Sequence, residues 1–161
     1  MNEELDYFFC ITIVGDPGTG KSNFLKRLFP NLIYEWDNTQ KPTRALDFSV
    51  FHSSVDQHVV KLLIWDTTGD GHLPKNTVSV LEGPDGLFMV YDITKRKTFE
   101  SFGKRVKRTQ KFAWKEATMI LVGNKSDLED AREVSYEEGR LLAEELGMKF
   151  VEISERKNES I

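Results

Sequence analysis

Five stretches of the chain are predominantly apolar, at residues 7–14, 59–65, 87–91, 118–122 and 150–153. Runs of this kind and length fit strands buried on both faces. Between them, helical patterns occupy residues 21–28, 98–112 and 136–146. The last helix is punctuated at both ends: Ser135 precedes it, Glu138 follows three positions on in the pattern of a capping box, and Gly147 stops it. Strand and helix therefore alternate, which predicts a mostly parallel sheet with helices on both faces and short right-handed crossovers. Residues 48–55, the turn-like Asp56-Gln57 pair and residues 59–65 read as a hairpin. This hairpin adds one antiparallel edge strand to give an α/β sheet of six strands.

No repeat, low-complexity tract or proline-rich linker divides the sequence, so one domain over residues 1–161 is expected. The 22 basic and 26 acidic residues leave a net charge of -4, which gives no global attraction to nucleic acid or to an anionic membrane. An anion must then be captured locally. The single cysteine, Cys10, excludes a disulfide within the chain and fits a reducing compartment. Glu3, Glu4 and Asp6 stand where a signal peptide would be basic. No apolar stretch approaches the roughly 20 residues that span a bilayer, and no cysteine-containing prenylation motif ends the chain. The expectation is a soluble, cytoplasmic protein without an intrinsic membrane anchor.

The chemistry concentrates at the carboxyl ends of the predicted strands, where open α/β sheets bind ligands. Gly15-Asp16-Pro17-Gly18-Thr19-Gly20-Lys21-Ser22 matches the phosphate-loop pattern GxxxxGKS between a predicted strand and a predicted helix. Its glycines let main-chain N–H groups turn inward around phosphates, and the helix starting near Lys21 contributes its positive end. The Lys21 ammonium neutralises the terminal phosphates, and the Ser22 hydroxyl offers itself to Mg2+. Asn124-Lys125-Ser126-Asp127 directly follows the strand at 118–122 and chooses the base. A carboxylate at Asp127 accepts from both the ring N–H and the exocyclic amine of guanine, whereas adenine would leave that charge unpaired at a cost of several kcal/mol. Between the two motifs lies Trp65-Asp66-Thr67-Thr68-Gly69-Asp70, where Asp66 ends an apolar strand in position to hold magnesium through water.

The phosphate loop, the WDTTGD and GNKSDL segments and the closing Glu152-Ile153-Ser154 together resemble the ordered motifs of the Ras superfamily, nearest in wording to its Rab branch. Val90-Tyr91-Asp92-Ile93-Thr94 and Val134-Ser135 are similar to Rab wording as well. The resemblance implies a small GTPase that binds GTP or GDP with Mg2+ and meets effector, exchange-factor or activating proteins through its switch loops, with signalling or vesicle trafficking as its setting. It makes Thr43 the switch threonine that coordinates magnesium and senses the γ-phosphate, and couples Gly69 to the same phosphate. It places Asn23 and Leu128 beside the nucleotide, and Ser154-Glu155-Arg156 where the family's Ser-Ala-Lys presents a main-chain N–H to the guanine carbonyl.

Several positions depart from the family. Asp70 replaces the glutamine that positions attacking water. A carboxylate is shorter, donates nothing through an amide and brings like charge toward a triphosphate, so slow intrinsic hydrolysis is expected, with Asp70 facing solvent and a partner driving hydrolysis as the alternative. Pro17 stiffens the phosphate loop and has no N–H to offer. His72 sits in an unusual second switch, His52 and His58 flank the hairpin without metal spacing, and Tyr34 or Trp36 either stacks beside the base or packs in the core. The resemblance further implies a long helix after the last strand, yet the sequence ends at Ile161. Either these residues are part of a longer chain, or another chain covers the sheet face left open. The basic residues Lys104, Arg105, Lys107, Arg108, Lys111 and Lys115 read as a solvated helix face or a partner surface. Two functions compete: a GTP/GDP switch with slow hydrolysis, and a scaffold module in a larger assembly that binds these nucleotides with little turnover. An ATP-consuming enzyme would leave Asp127 unexplained.

Overall fold

The computed structural model describes residues 5–30, 33–34, 46–67, 83–109 and 116–154. In chain order the elements are β1 (Tyr7–Val14), α1 (Lys21–Leu28), β2 (Ile33–Tyr34), β3 (Leu46–Val55), β4 (His58–Thr67), β5 (Gly86–Asp92), α2 (Arg96–Thr109), β6 (Thr118–Asn124), α3 (Tyr136–Glu145) and β7 (Lys149–Glu152). They build one sheet in the order β2-β3-β4-β1-β5-β6-β7. The strands from β4 to β7 run parallel, and β3 is antiparallel to both neighbours. The expected mixed sheet is therefore present, with one addition. Ile33 and Tyr34 pair with Val50 and Ser49 and take the outer edge beyond β3. Two residues leave no periodicity to read.

Three strands run further than their apolar runs. β4 continues through Asp66 and Thr67, β5 through Asp92 and β6 through Asn124, so polar side chains occupy the carboxyl ends of adjacent ladders. The register sets Ile13 against Asp66 and Asp92 against Asn124. Asp66, Thr67, Asp92 and Asn124 are all buried. Reading apolar runs alone stops each strand short of the residues that carry chemistry.

Alternate residues of the central strands feed two cores. Leu87, Met89 and Tyr91 face α2 and α3, where they pack with Phe102, Leu121, Val134, Ala143 and Met148. Val90 and Val122 face α1 on the opposite side, with Ile13, Ile64, Phe24, Leu25 and Ile153. Each fully buried Leu or Val contributes roughly 1.5–3 kcal/mol relative to its exposed state, so these two layers hold β1, β5 and β6 rigidly in the middle of the sheet. The hairpin forms as expected: Asp56 and Gln57 adopt φ 48° and 69°, the left-handed pair that a tight two-residue connection demands. Among the described residues no helix is long and apolar enough to cross a membrane.

The capping box before α3 is complete. The Ser135 hydroxyl accepts from the Glu138 N–H at 3.2 Å, and the Glu138 carboxylate accepts from the Ser135 N–H at 2.9 Å. Arg96 from the start of α2 donates to the same carboxylate at 2.8 and 3.1 Å, tying the two helices together. Hydrogen bonds from Arg96 and then from Ser135 lower the Glu138 carboxyl from 4.5 to about 2. Because the folded-state value is depressed, this stabilisation is present above pH 4.5 and is lost as pH falls toward 2. Glu138→Ala is expected to cost about 1 kcal/mol at neutral pH. Glu138→Gln keeps the cap but cannot titrate, so its urea midpoint falls less between these pH values than that of the native chain.

Candidate functional site

The phosphate-loop segment leaves β1 at buried Gly15 and enters α1 at Gly20. A Cβ at Gly15 would lie 2.3 Å from the Val90 carbonyl oxygen, a main-chain atom of the neighbouring strand. Gly20 caps α1 at φ 89° and provides no side-chain hydrogen bond to the first turn. The contrast with α3 is informative. That helix satisfies its own terminal amides with Ser135 and Glu138, whereas α1 begins with a residue that has no side chain to offer and carries no acidic group in its first turn. Lys26 and Arg27 in the last turn complement the opposite end of its dipole. A helix built this way presents N–H groups and partial positive charge at the loop.

Pro17 has a local explanation. The Thr19 N–H donates to the Asp16 carbonyl at 3.3 Å and Gly18 has φ 77°, so residues 16–19 form a turn with proline second and a left-handed glycine third. This is the arrangement that type II turns favour, and the fixed proline φ preorganises it. Pro17 and Gly18 are exposed, while Thr19 and Lys21 are buried. The Lys21 ammonium donates to the Gly15 and Asp16 carbonyls at 2.9 and 3.1 Å, which holds a cation at the loop. The Asp16 carboxylate accepts from Ser101 of α2 at 2.6 Å. Asn23 is exposed on the next position of α1.

The segment after β6 is fastened to this loop. The Asn124 side-chain amide donates to the Thr19 carbonyl at 2.8 Å in a fully buried contact, and the Lys125 ammonium donates to the Gly18 carbonyl at 2.9 Å. Half-buried Asp127 accepts from the Ser154 hydroxyl at 2.8 Å, and the Ser126 N–H donates to the Ile153 carbonyl at 3.0 Å. Leu128 lies beside it, partly exposed. Behind them the Arg132 guanidinium forks onto Glu152 at 2.7 and 2.8 Å and anchors the Glu129–Ala131 turn to β7. A planar fork on a carboxylate is the geometry such a pair prefers.

At the end of β4, buried Asp66 accepts from the Ser22 hydroxyl at 2.5 Å. One hydroxyl and one carboxylate oxygen thus converge beside Lys21, a donor set that suits a hard divalent cation such as magnesium. Among the described residues no group of three or more His, Cys, Asp or Glu could hold a metal, and His52 and His58 are exposed. Thr43, Gly69, Asp70, Glu155 and Arg156 lie outside the described residues, as do Trp36 and His72. The same holds for Lys111, Lys115 and the side chains of Tyr34, Lys104, Arg105, Lys107 and Arg108.

Sequence reading assigns no role to Asp92, Thr67 or Ser101, all of which touch this constellation. Thr67 donates to the Ile13 carbonyl at 2.9 Å, locking the ends of β4 and β1 together. A polar residue ending an apolar run was the available signal for Asp92, and Ser101 carries none within α2. Gly15→Ala is expected to destabilise the fold by about 1–3 kcal/mol or more through forced displacement of Val90. Gly18→Ala meets nothing within 4 Å and costs only the left-handed φ, about 1–2 kcal/mol. Thermal unfolding of the two variants side by side checks this order.

The sequence model described as the Ras family matches residues 10–161. Among similar proteins, the Ras-related protein RABA6b of Arabidopsis thaliana is 39% identical over 160 residues, covering 99% of this chain and 69% of its own length. The Ras-related protein RABA6a from the same plant is 39% identical over 159 residues, covering 99% and 67%. The Ras-related protein Rab2BV of Beta vulgaris is 38% identical over 154 residues, covering 96% and 71%. With the phosphate-loop and NKSD segments joined at one end of the sheet, the chain belongs to the Ras family and is a Rab-like small GTPase.

Proposed function

We propose that this chain is a guanine-nucleotide switch which binds GTP or GDP with magnesium, hydrolyses GTP slowly and engages effector, exchange-factor or activating proteins through its switch segments. The observation that carries this reading is the Asn124 amide bond to the Thr19 carbonyl, with Asp127 held by Ser154 on the same rim of the sheet. It supports a phosphate binder and a base reader at fixed separation. Phosphates lie against the first turn of α1 and the Lys21 ammonium, and Asp127 accepts from the two N–H groups that guanine presents and adenine lacks. Ser154-Glu155-Arg156 stands where the family presents a main-chain N–H to the guanine carbonyl, as the resemblance implies. Ser22 and Asp66, with Thr43, would hold magnesium, which when bound offsets phosphate charge in ground and transition states.

Hydrolysis divides this reading. Asp70 offers water a short carboxylate with no amide donor, close to a polyanion, so attack on the γ-phosphate is slow without an external activator. That substitution equally favours the second reading, a nucleotide-binding interaction module that hardly turns over. Single-turnover GTP hydrolysis by the native chain and by Asp70→Gln separates them. The switch reading expects a measurable native rate, increased in the variant. A native rate at background would leave turnover dependent on a partner and favour the module.

Base choice has its own test. Asp127→Asn should weaken GDP binding by at least about 100-fold and gain xanthosine diphosphate, whose base carries an acceptor where guanine has its amine. Equilibrium titration of both nucleotides against both proteins measures it. Unchanged GDP affinity in the variant would remove Asp127 from the site.

A further inference from the structure

A buried carboxylate stands behind the guanine-reading loop, and the machinery described above does not use it. Asp92 ends β5 fully buried, directly beside Asn124 of β6 in the register. One carboxylate oxygen, Oδ1, accepts from the Thr94 N–H at 2.9 Å and the Thr94 hydroxyl at 2.6 Å. The other, Oδ2, forms an ion pair with the Lys125 ammonium at 2.7 Å. The same ammonium donates to the Gly18 carbonyl at 2.9 Å, in the turn of the phosphate loop.

Lys125 is itself an unusual residue. Its φ is 69°, in the left-handed region that side-chain-bearing residues rarely enter. A conformation of that kind persists only where the surroundings over-determine it. Here the Asn124 side-chain oxygen accepts from the Lys125 N–H at 2.8 Å, fixing the backbone, while Asp92 and Gly18 fix the far end of the side chain.

We propose that Asp92 is a positioning residue for nucleotide retention: through Lys125 it clamps the phosphate-loop turn at Gly18 to the guanine-reading loop. This inference rests on the guanine-nucleotide reading and adds to it a residue that touches neither base nor phosphate. An unpaired lysine would extend into solvent and release Gly18, and an unpaired buried carboxylate would be costly, so each charge keeps the other in place. Burial alone would push the Asp92 carboxyl up, but Lys125 and the two Thr94 donors outweigh it and hold the group below the usual carboxylate range. The charge on Asp92 is therefore permanent near neutrality. The N–H of Asp92 also donates to the Thr98 hydroxyl at 3.0 Å, so the clamp is braced against the first turn of α2.

The test is a double-mutant cycle read by nucleotide release. The full chain is loaded with a fluorescent GDP analogue in magnesium, and its dissociation is followed after adding excess GDP, for the native protein, Asp92→Asn, Lys125→Met and the double variant. Losing a charge-assisted contact is expected to speed release about 10-fold in each single variant. The double variant should release no faster than Lys125→Met, since Asp92 acts through that lysine. Multiplying effects, near 100-fold in the double variant, would assign Asp92 a general structural role, and native-like release from Asp92→Asn would overturn the proposal outright. Should Asp92→Asn fail to fold, Thr94→Val removes the hydroxyl donor from the carboxylate, keeps the main-chain N–H donor and leaves the charge. It should speed release about 3-fold, an effect abolished in the Lys125→Met background, and no change in release would contradict the proposal. A native chain that retains no GDP would instead defeat the guanine-nucleotide reading itself.

Discussion

The structure turns on one buried hydrogen bond, from the Asn124 side-chain amide to the Thr19 carbonyl. It joins the phosphate loop after β1 to the last residue of β6, and both partners are fully buried. An amide that lost this acceptor would be stranded in the interior at a cost of about 1–3 kcal/mol. The separation of the two segments is therefore set by this bond together with the sheet that carries them. β1, β5 and β6 lie side by side because their alternate residues fill two cores at once, and the loops inherit that rigidity. A ligand with one end in each loop meets a site whose geometry is already in place, which lowers the ordering cost of binding.

Electrostatics completes the arrangement. In a chain of net charge -4 a polyanion is not drawn in by the overall field. Three local features suit one: the start of α1 without a side-chain cap, the Lys21 ammonium held by two carbonyls, and the Ser22–Asp66 pair, whose oxygens suit a divalent cation. The helix that has no such task, α3, closes its own N-terminus with side chains. One fold thus treats two helix starts in opposite ways, and the difference follows from a glycine in one place and a Ser-x-x-Glu pattern in the other.

Much of this was legible from residue order. Apolar runs located the long strands, the Ser135 box located α3, and Asp56-Gln57 located the hairpin, because each is a local signal whose physics is complete within a few residues. The phosphate-loop and NKSD motifs were legible for the same reason. What escaped was non-local. The strand ends at Asp66, Asp92 and Asn124 are polar, so an apolar-run criterion cuts them off, although their ladders continue. Ile33–Tyr34 is too short for any period. Ser101 meets Asp16 from 85 positions away, a pairing that only the packing of α2 on the sheet creates. The left-handed backbone of Lys125 is likewise imposed by tertiary contacts, since nothing in a lysine favours it.

The central claim is that two loops, held apart by the sheet, select a nucleotide by its phosphates and its base together. Calorimetric titration of the nucleotide-free chain with GDP and with ADP in magnesium tests it most directly. The account predicts a GDP dissociation constant below about 1 μM, some −8 kcal/mol, and ADP binding weaker by at least about 100-fold. Equal affinity for the two, or no heat with GDP, would contradict it.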